Sequence, residues 1–162
     1  NSLGDKIKIG INTQGSFPEK SITDNYLRDI CLGLRSNYKN IQIIILATPD
    51  QILNKKFFIS KFDFDFVECS YPTFSINDVA ALIQQLDFII TPDTSIVHIA
   101  SSFDIPIVSI HENNKDSYRL WSPTSTLNKT IFAKSSYGIS NFSVSDVIKS
   151  SSEILKIIEL KK

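Results

Sequence analysis

The stretch FIITPDTSIVHIASSFDIPIVSI, residues 88–110, carries the first chemistry. An apolar, β-branched run stops at Thr91-Pro92, and Asp93, Thr94, Ser95 and His98 follow at once. If a helix begins near Thr94, the first-turn amides of Ser95, Ile96 and Val97 have no partner inside it and face out of its positive end. Such a turn is an anion site, and phosphate is its usual occupant. Thr94 and His98, four apart, share a helix face, and Ser95 and His98, three apart, nearly do. Ile96, Ile99, Ala100 and Phe103 are expected to turn toward a core. A second polar stretch, NTQGSFPEK at 12–20, supplies Lys20 as a positive charge for the same phosphates. Gly15 lets that loop bend or approach a ligand closely. Taken singly, each residue has a plainer reading: a solvated lysine, capping residues at 93 and 94, a structural histidine at 98. Their weight lies in falling together.

Two such stretches act together only if the fold brings them to one edge. Residues 6–12 (KIKIGIN) alternate as a half-buried strand does, and 41–47 (IQIIILA) form a run typical of a strand covered on both faces. Shorter runs at 66–69, 87–91, 106–110 and 130–133 extend the series. Between them, Leu27, Ile30, Cys31, Leu34 and Tyr38 fall on one helical face, as do Ile76, Val79, Ala80 and Ile83, and then Val144, Val147, Ile148, Ile154, Leu155 and Ile158. A Ser-x-x-Asp pattern precedes each helix: Ser21 with Asp24, Ser75 with Asp78, Ser143 with Asp146. Alternating strands and helices predict an α/β fold, a doubly wound parallel sheet of Rossmann-like form. Residues 13–20 and 111–129 are expected to be irregular. In such a sheet ligands bind beyond the carboxyl ends of the strands, which is where 12–20 and 92–98 lie.

Composition narrows the function classes. The 162 residues suffice for one domain with a core. Seventeen basic and seventeen acidic side chains cancel, so no net field draws the chain to nucleic acid or an anionic membrane. Cys31 and Cys69 form no CxxC pattern, which argues against a disulfide framework or a zinc site and for a reducing compartment. No apolar run reaches the length of a membrane span and the first residues do not resemble a signal peptide. With no methionine, the sequence reads as part of a longer chain. No GxGxxG follows a strand, against a nicotinamide enzyme, and Asn12-Thr13-Gln14 replaces the acidic cluster that a receiver domain needs there.

The stretch DFIITPDTSIVHIASSFDIPIVSI resembles the donor-domain signature of family 9 glycosyltransferases, the heptosyltransferase-like group: an apolar strand, D-[TS]-[GS]-x-x-H-x-A-[AS], a small-residue turn, proline and another apolar strand. Asp93, Thr94, Ser95, His98 and Ala100 fall on it. Phe74 to Ala80 resemble the family's polar loop and following helix start, Thr13 to Lys20 its first loop with a lysine, and RLWSPTS at 119–125 a later loop. Two departures are a serine at 95, where the family commonly has glycine, and Ser21-Ile22 after Lys20 in place of a basic residue and tryptophan.

The resemblance implies that residues 1–162 are the single nucleotide-sugar-binding domain of a GT-B enzyme, its C-terminal half, with the N-terminal acceptor domain absent. It implies a nucleotide-diphosphate sugar as substrate, ADP-type rather than UDP-type. Transfer of heptose or a related sugar to a lipopolysaccharide or lipooligosaccharide acceptor would take place in the cytoplasm, at the cytoplasmic face of the inner membrane. Lys20 would contact the diphosphate and, with His98 beside the phosphates, stabilise the leaving group. Thr94 and Ser95 would donate to the diphosphate, Asp93 would meet sugar hydroxyls, Phe74 would pack on the base and Asp50 would reach the ribose. Thr13, Gln14 and Gly15 complete the expected donor site. No cofactor is expected and, without an Asp-x-Asp motif, no metal. The catalytic base would come from the other domain, so this part alone would bind donor and transfer little. Two alternatives stand beside this: a GT-B sugar-nucleotide epimerase or hydrolase, and a non-catalytic Rossmann-like interaction module.

Overall fold

The β-branched runs pair as six parallel strands in the computed structural model, which describes residues 6–62 and 64–161. In chain order the elements are β1 (Ile7–Asn12), a 3-10 turn (Pro18–Lys20), α1 (Asp24–Asn37), β2 (Ile41–Leu46), α2 (Ile52–Phe62), β3 (Val67–Cys69), α3 (Ile76–Ile83), β4 (Phe88–Pro92), α4 (Ser95–Ser102), β5 (Ile107–His111), α5 (Lys115–Trp121), β6 (Asn128–Phe132) and α6 (Val144–Lys161). The sheet order is β3-β2-β1-β4-β5-β6. After β1 the chain winds outward through β2 and β3, then returns to lay β4 on the other side of β1. That reversal opens a crevice beyond the ends of β1 and β4, the place where doubly wound folds hold ligands.

Strand alternation divides the core in two. Ile9, Ile11, Phe88 and Ile90 belong to one buried cluster with Leu27, Ile30 and Leu34 of α1 and Val147, Ile154 and Leu155 of α6. Ile89 and Ile107 point the other way, into a smaller cluster with Leu82 and Ile83 of α3 and Ala100 of α4. Both faces are therefore covered, which is why the strands read as continuous apolar runs. Gly10 lies on the α3 side, where a Cβ would run into the side chain of Leu86.

The helix starts differ in detail. Ser75 and Asp78 form the expected reciprocal capping box, and Ser143 accepts from the Asp146 amide. At α1 the cap is Thr23, whose side chain accepts from the Tyr26 amide. Ser21 instead ties the preceding loop, accepting from the Gly15 amide and donating to the Phe17 carbonyl. Helix α2 escaped the periodicity because its apolar residues do not share a face: Phe58 is buried, while Leu53 and Phe57 are exposed. Helix α5 lies within the stretch expected to be irregular, 111–129, and buries none of its residues. On α4, Ala100 is buried in the smaller cluster and Ile96 and Ile99 pack against it as expected, Val97 is buried as well, and Phe103 alone of the expected face is exposed.

Candidate functional site

The crevice at the strand reversal is a cleft of about 400 Å³. Its polar side is lined by Asn12, Gln14, Gly15 and Ser16 after β1 and by Thr94 and Ser95 at the head of α4. Its apolar walls are Leu46 and Ala47 at the end of β2, Val79 and Leu82 of α3, and Ile96 of α4, with Thr48 and Thr73 at the rim. A flat, partly apolar group fits between such walls and an anionic one against the hydroxyls.

Asn12, the last residue of β1, joins the two sides of the reversal. It is buried, and its Nδ2 donates to Thr91 Oγ1 at 3.0 Å, to the Gln14 carbonyl at 3.1 Å and to Thr94 Oγ1 at 3.4 Å, while its Oδ1 accepts from the Gln14 amide at 3.1 Å. Thr91 passes its own proton to the Pro92 carbonyl. Thr94 Oγ1 accepts from Asn12 and, at 3.2 Å, from the Ile96 amide. A hydroxyl has two acceptor positions and one proton. With both acceptors engaged, the Thr94 proton is the part left to offer a ligand oxygen. The Ile96 amide is thus occupied, and the Val97 amide bonds the Thr94 carbonyl, so neither points outward as expected. The anion-binding capacity of this turn narrows to Ser95 and the two hydroxyls.

Beyond the cleft, a charged lip surrounds the ends of β4 and β5. Lys20 Nζ lies 3.2 Å from Glu112 Oε1, both side chains being largely buried. Glu112 Oε2 accepts from the Gly138 amide at 3.1 Å. His111 Nδ1 lies 3.6 Å from Asp93 Oδ2, and its Nε2 is buried without a hydrogen-bond partner among the described residues. Burial pushes the His111 pKa below the ordinary histidine value; the Asp93 and Glu112 carboxylates oppose that shift, and the neighbouring Lys20 and His98 add to it. His111 is therefore a neutral imidazole at neutral pH.

Of the expected residues, Gln14, Gly15, Thr94 and Ser95 line the cleft, and Lys20 and Asp93 lie on the lip. Thr13 is buried, with its carbonyl accepting from the Ile22 amide, and supports the loop from behind. His98 is exposed and meets the Trp121 ring edge-on with centroids 5.7 Å apart, so Trp121 shares its surface. Asp50 lies exposed in the turn before α2, its carboxyl held below the ordinary range by hydrogen bonds from Thr48 and Gln51. Phe74 is exposed beside Thr73 at the cleft rim. Sequence reasoning gave no role to Asn12, His111 or Glu112. The available signal was a polar residue closing or just following an otherwise apolar strand.

The family model for glycosyltransferase family 9 (heptosyltransferase) matches residues 4–142. The chain belongs to that family. An Escherichia coli (strain K12) protein provisionally called lipopolysaccharide heptosyltransferase 4 is 27% identical over 126 residues, covering 75% of this chain and 33% of that protein. Two solved E. coli structures share the fold. Heptosyltransferase WaaC with ADP superposes with a TM-score of 0.76 at 16% identity, over 93% of this chain and 45% of that one. ADP-heptose lps heptosyltransferase II gives 0.77 at 13%, over 96% and 48%. This family 9 chain thus spans about a third of the curated relative and under half of the solved enzymes. Among the described residues, no group of three or more His, Cys, Asp or Glu could hold a metal ion, and no helix is long and apolar enough to cross a membrane.

Proposed function

We propose that this family 9 domain binds the nucleotide-sugar donor of a glycosyl transfer, with ADP as the nucleotide and heptose or a related sugar as the group moved. The observation that carries this is the cleft at the strand reversal, whose apolar walls meet the hydroxyl-bearing head of α4. Base and ribose lie between Leu46, Val79 and Leu82. The diphosphate takes the Thr94 and Ser95 donors and the Lys20 ammonium, and Asp93 meets sugar hydroxyls. That the related WaaC was solved with ADP supports the choice of base.

In the transfer, the bond between the sugar C1 and the β-phosphate oxygen breaks while the acceptor hydroxyl forms the new bond to C1 and gives up its proton. Negative charge grows on the departing diphosphate. Donors already aimed at that charge lower the barrier without having to reorganise. Lys20 and Thr94 are the groups assigned this role, with His98 as a neighbour. The base that takes the acceptor proton, and the acceptor site itself, are assigned to a partner domain outside this one. The name of the curated relative supports a lipopolysaccharide-type acceptor, and hence work at the cytoplasmic face of the inner membrane.

The test is calorimetric titration of the chain with ADP, UDP, GDP and CMP, paired with thermal unfolding and repeated on Lys20→Ala and Thr94→Val. Saturable binding of ADP is expected, with about 2.7 kcal/mol of stabilisation at 100 times its dissociation constant, and loss in both variants. Selective binding of UDP would move the assignment to an epimerase-like site. No binding of any nucleotide by the folded chain would overturn the donor-site reading in favour of an association module.

A further inference from the structure

The Lys20 side chain reaches the lip by an indirect route. Its backbone lies in the three-residue turn Pro18–Lys20, and its ammonium crosses to Glu112, one residue beyond β5. Glu112 is itself fixed from behind. Its second carboxylate oxygen takes the Gly138 amide, and Gly138 stands at φ +75, where a Cβ would lie 2.7 Å from the Glu19 carbonyl oxygen. The next amide, that of Ile139, donates to the same Glu19 carbonyl at 2.8 Å. The loop 137–139, the lysine turn and the end of β5 thus close a ring through one carboxylate. An ammonium has three N–H donors, and Glu112 takes one of them. The pair therefore does not have to break for Lys20 to meet phosphate oxygens.

We propose that Glu112 is the positioning residue for Lys20, holding its ammonium toward the donor diphosphate; this rests on the donor-site reading above. An unheld lysine carries rotamer entropy that binding would have to remove. Glu112 removes that freedom beforehand. The carboxylate does not touch the donor: it acts through Lys20 alone, so its effect vanishes when Lys20 is gone.

The experiment is a double-mutant cycle on ADP affinity by calorimetry, using the wild-type chain, Glu112→Gln, Lys20→Ala and the double variant. Glutamine keeps an acceptor for the Gly138 amide and loses the charge that orients Lys20. Glu112→Gln is expected to weaken ADP about tenfold, equivalent to about 1.4 kcal/mol, and to have no further effect in the Lys20→Ala background. A Glu112→Asp variant, which keeps the charge, should recover part of the loss. An equal loss in both backgrounds would show that Glu112 acts on the fold and not through Lys20, and would overturn the proposal. Tighter ADP binding by Glu112→Gln would overturn it too, by showing that the carboxylate competes with the diphosphate. Absence of ADP binding by the wild type is a different result, which removes the donor-site reading on which the proposal rests.

Discussion

The cleft and the charged lip lie side by side at one edge of the sheet, yet they are built differently. The cleft is made by elements: strand ends, Val79 and Leu82 of α3, the first turn of α4, and one buried asparagine whose bonds are mostly to backbone or to threonines at fixed positions. The lip is made by side-chain pairs, Lys20 with Glu112 and Asp93 with His111, whose members come from three separate segments. A wall of strand and helix needs no further support once the core has formed. The ion pair of Lys20 and Glu112 needs each partner, because the remaining charge would be left desolvated and unmatched. The cleft should therefore be robust to most side-chain changes and fail at its few backbone anchors, whereas the lip should lose function readily while the fold survives.

The strongest challenge to that contrast is Asn12→Ala. It leaves the half-buried Gln14 amide without its acceptor and buried Thr91 without its donor, so destabilisation of about 3 kcal/mol is expected by denaturant unfolding, with loss of ADP binding. A loss below 1 kcal/mol by the same measurement would mean the two sides of the reversal hold together without it. Gly15→Ala comes next and tests the joint between the two regions. Gly15 lines the cleft, and a Cβ there would run into the Lys20 backbone carbonyl. Destabilisation of about 2 kcal/mol is expected from overpacking, together with weaker ADP binding in calorimetry. Unchanged affinity would show that the lip is independent of the loop beneath it.

The smallest effect sharpens the cleft side. Asp78 accepts from the Phe74 and Ser75 amides, which holds its carboxyl below the ordinary value and fixes the rim next to Thr73. A carboxyl depressed on folding adds stability above its unfolded value, and that stability is lost as the pH falls through the folded value. The stability gap between wild type and Asp78→Asn should stay level above about pH 5 and shrink below about pH 4. A gap that persists at pH 3 in thermal unfolding would show that the amide replaces the carboxylate fully.

Legibility followed the same division. The six strands and four of the six α-helices, α1, α3, α4 and α6, stood out because burial on both sheet faces imposes apolar runs of period two and stripes of period 3.6. The placement of 12–20 and 92–98 at one edge followed from that alternation, so Gln14, Gly15, Thr94 and Ser95 could be named as neighbours in advance. Helix α2 stayed hidden because its apolar residues scatter around it, and β6 starts at polar Asn128 and Lys129, ahead of the apolar run at 130–133, because an edge strand can face solvent. The burial of Val97 was missed because Ile96, Val97, Ile99 and Ala100 leave α4 apolar on more than one face, and spacing alone does not show that both are covered.

What the sequence determined by itself was the parallel α/β architecture, the family, and a polar helix start opposite a lysine-bearing loop. Each is a local pattern, set by which residues can be buried and which turn chemistry follows them. Only the tertiary structure decided that Asn12 clasps β1 to β4, that Val97 is buried and Phe103 exposed, and that Glu112 takes Lys20 while His111 faces Asp93. Those contacts join residues up to 92 positions apart. Their partners are chosen by strand order, which places β5 beside β4 and brings the 137–139 loop against the lysine turn, and no spacing within a single segment encodes that.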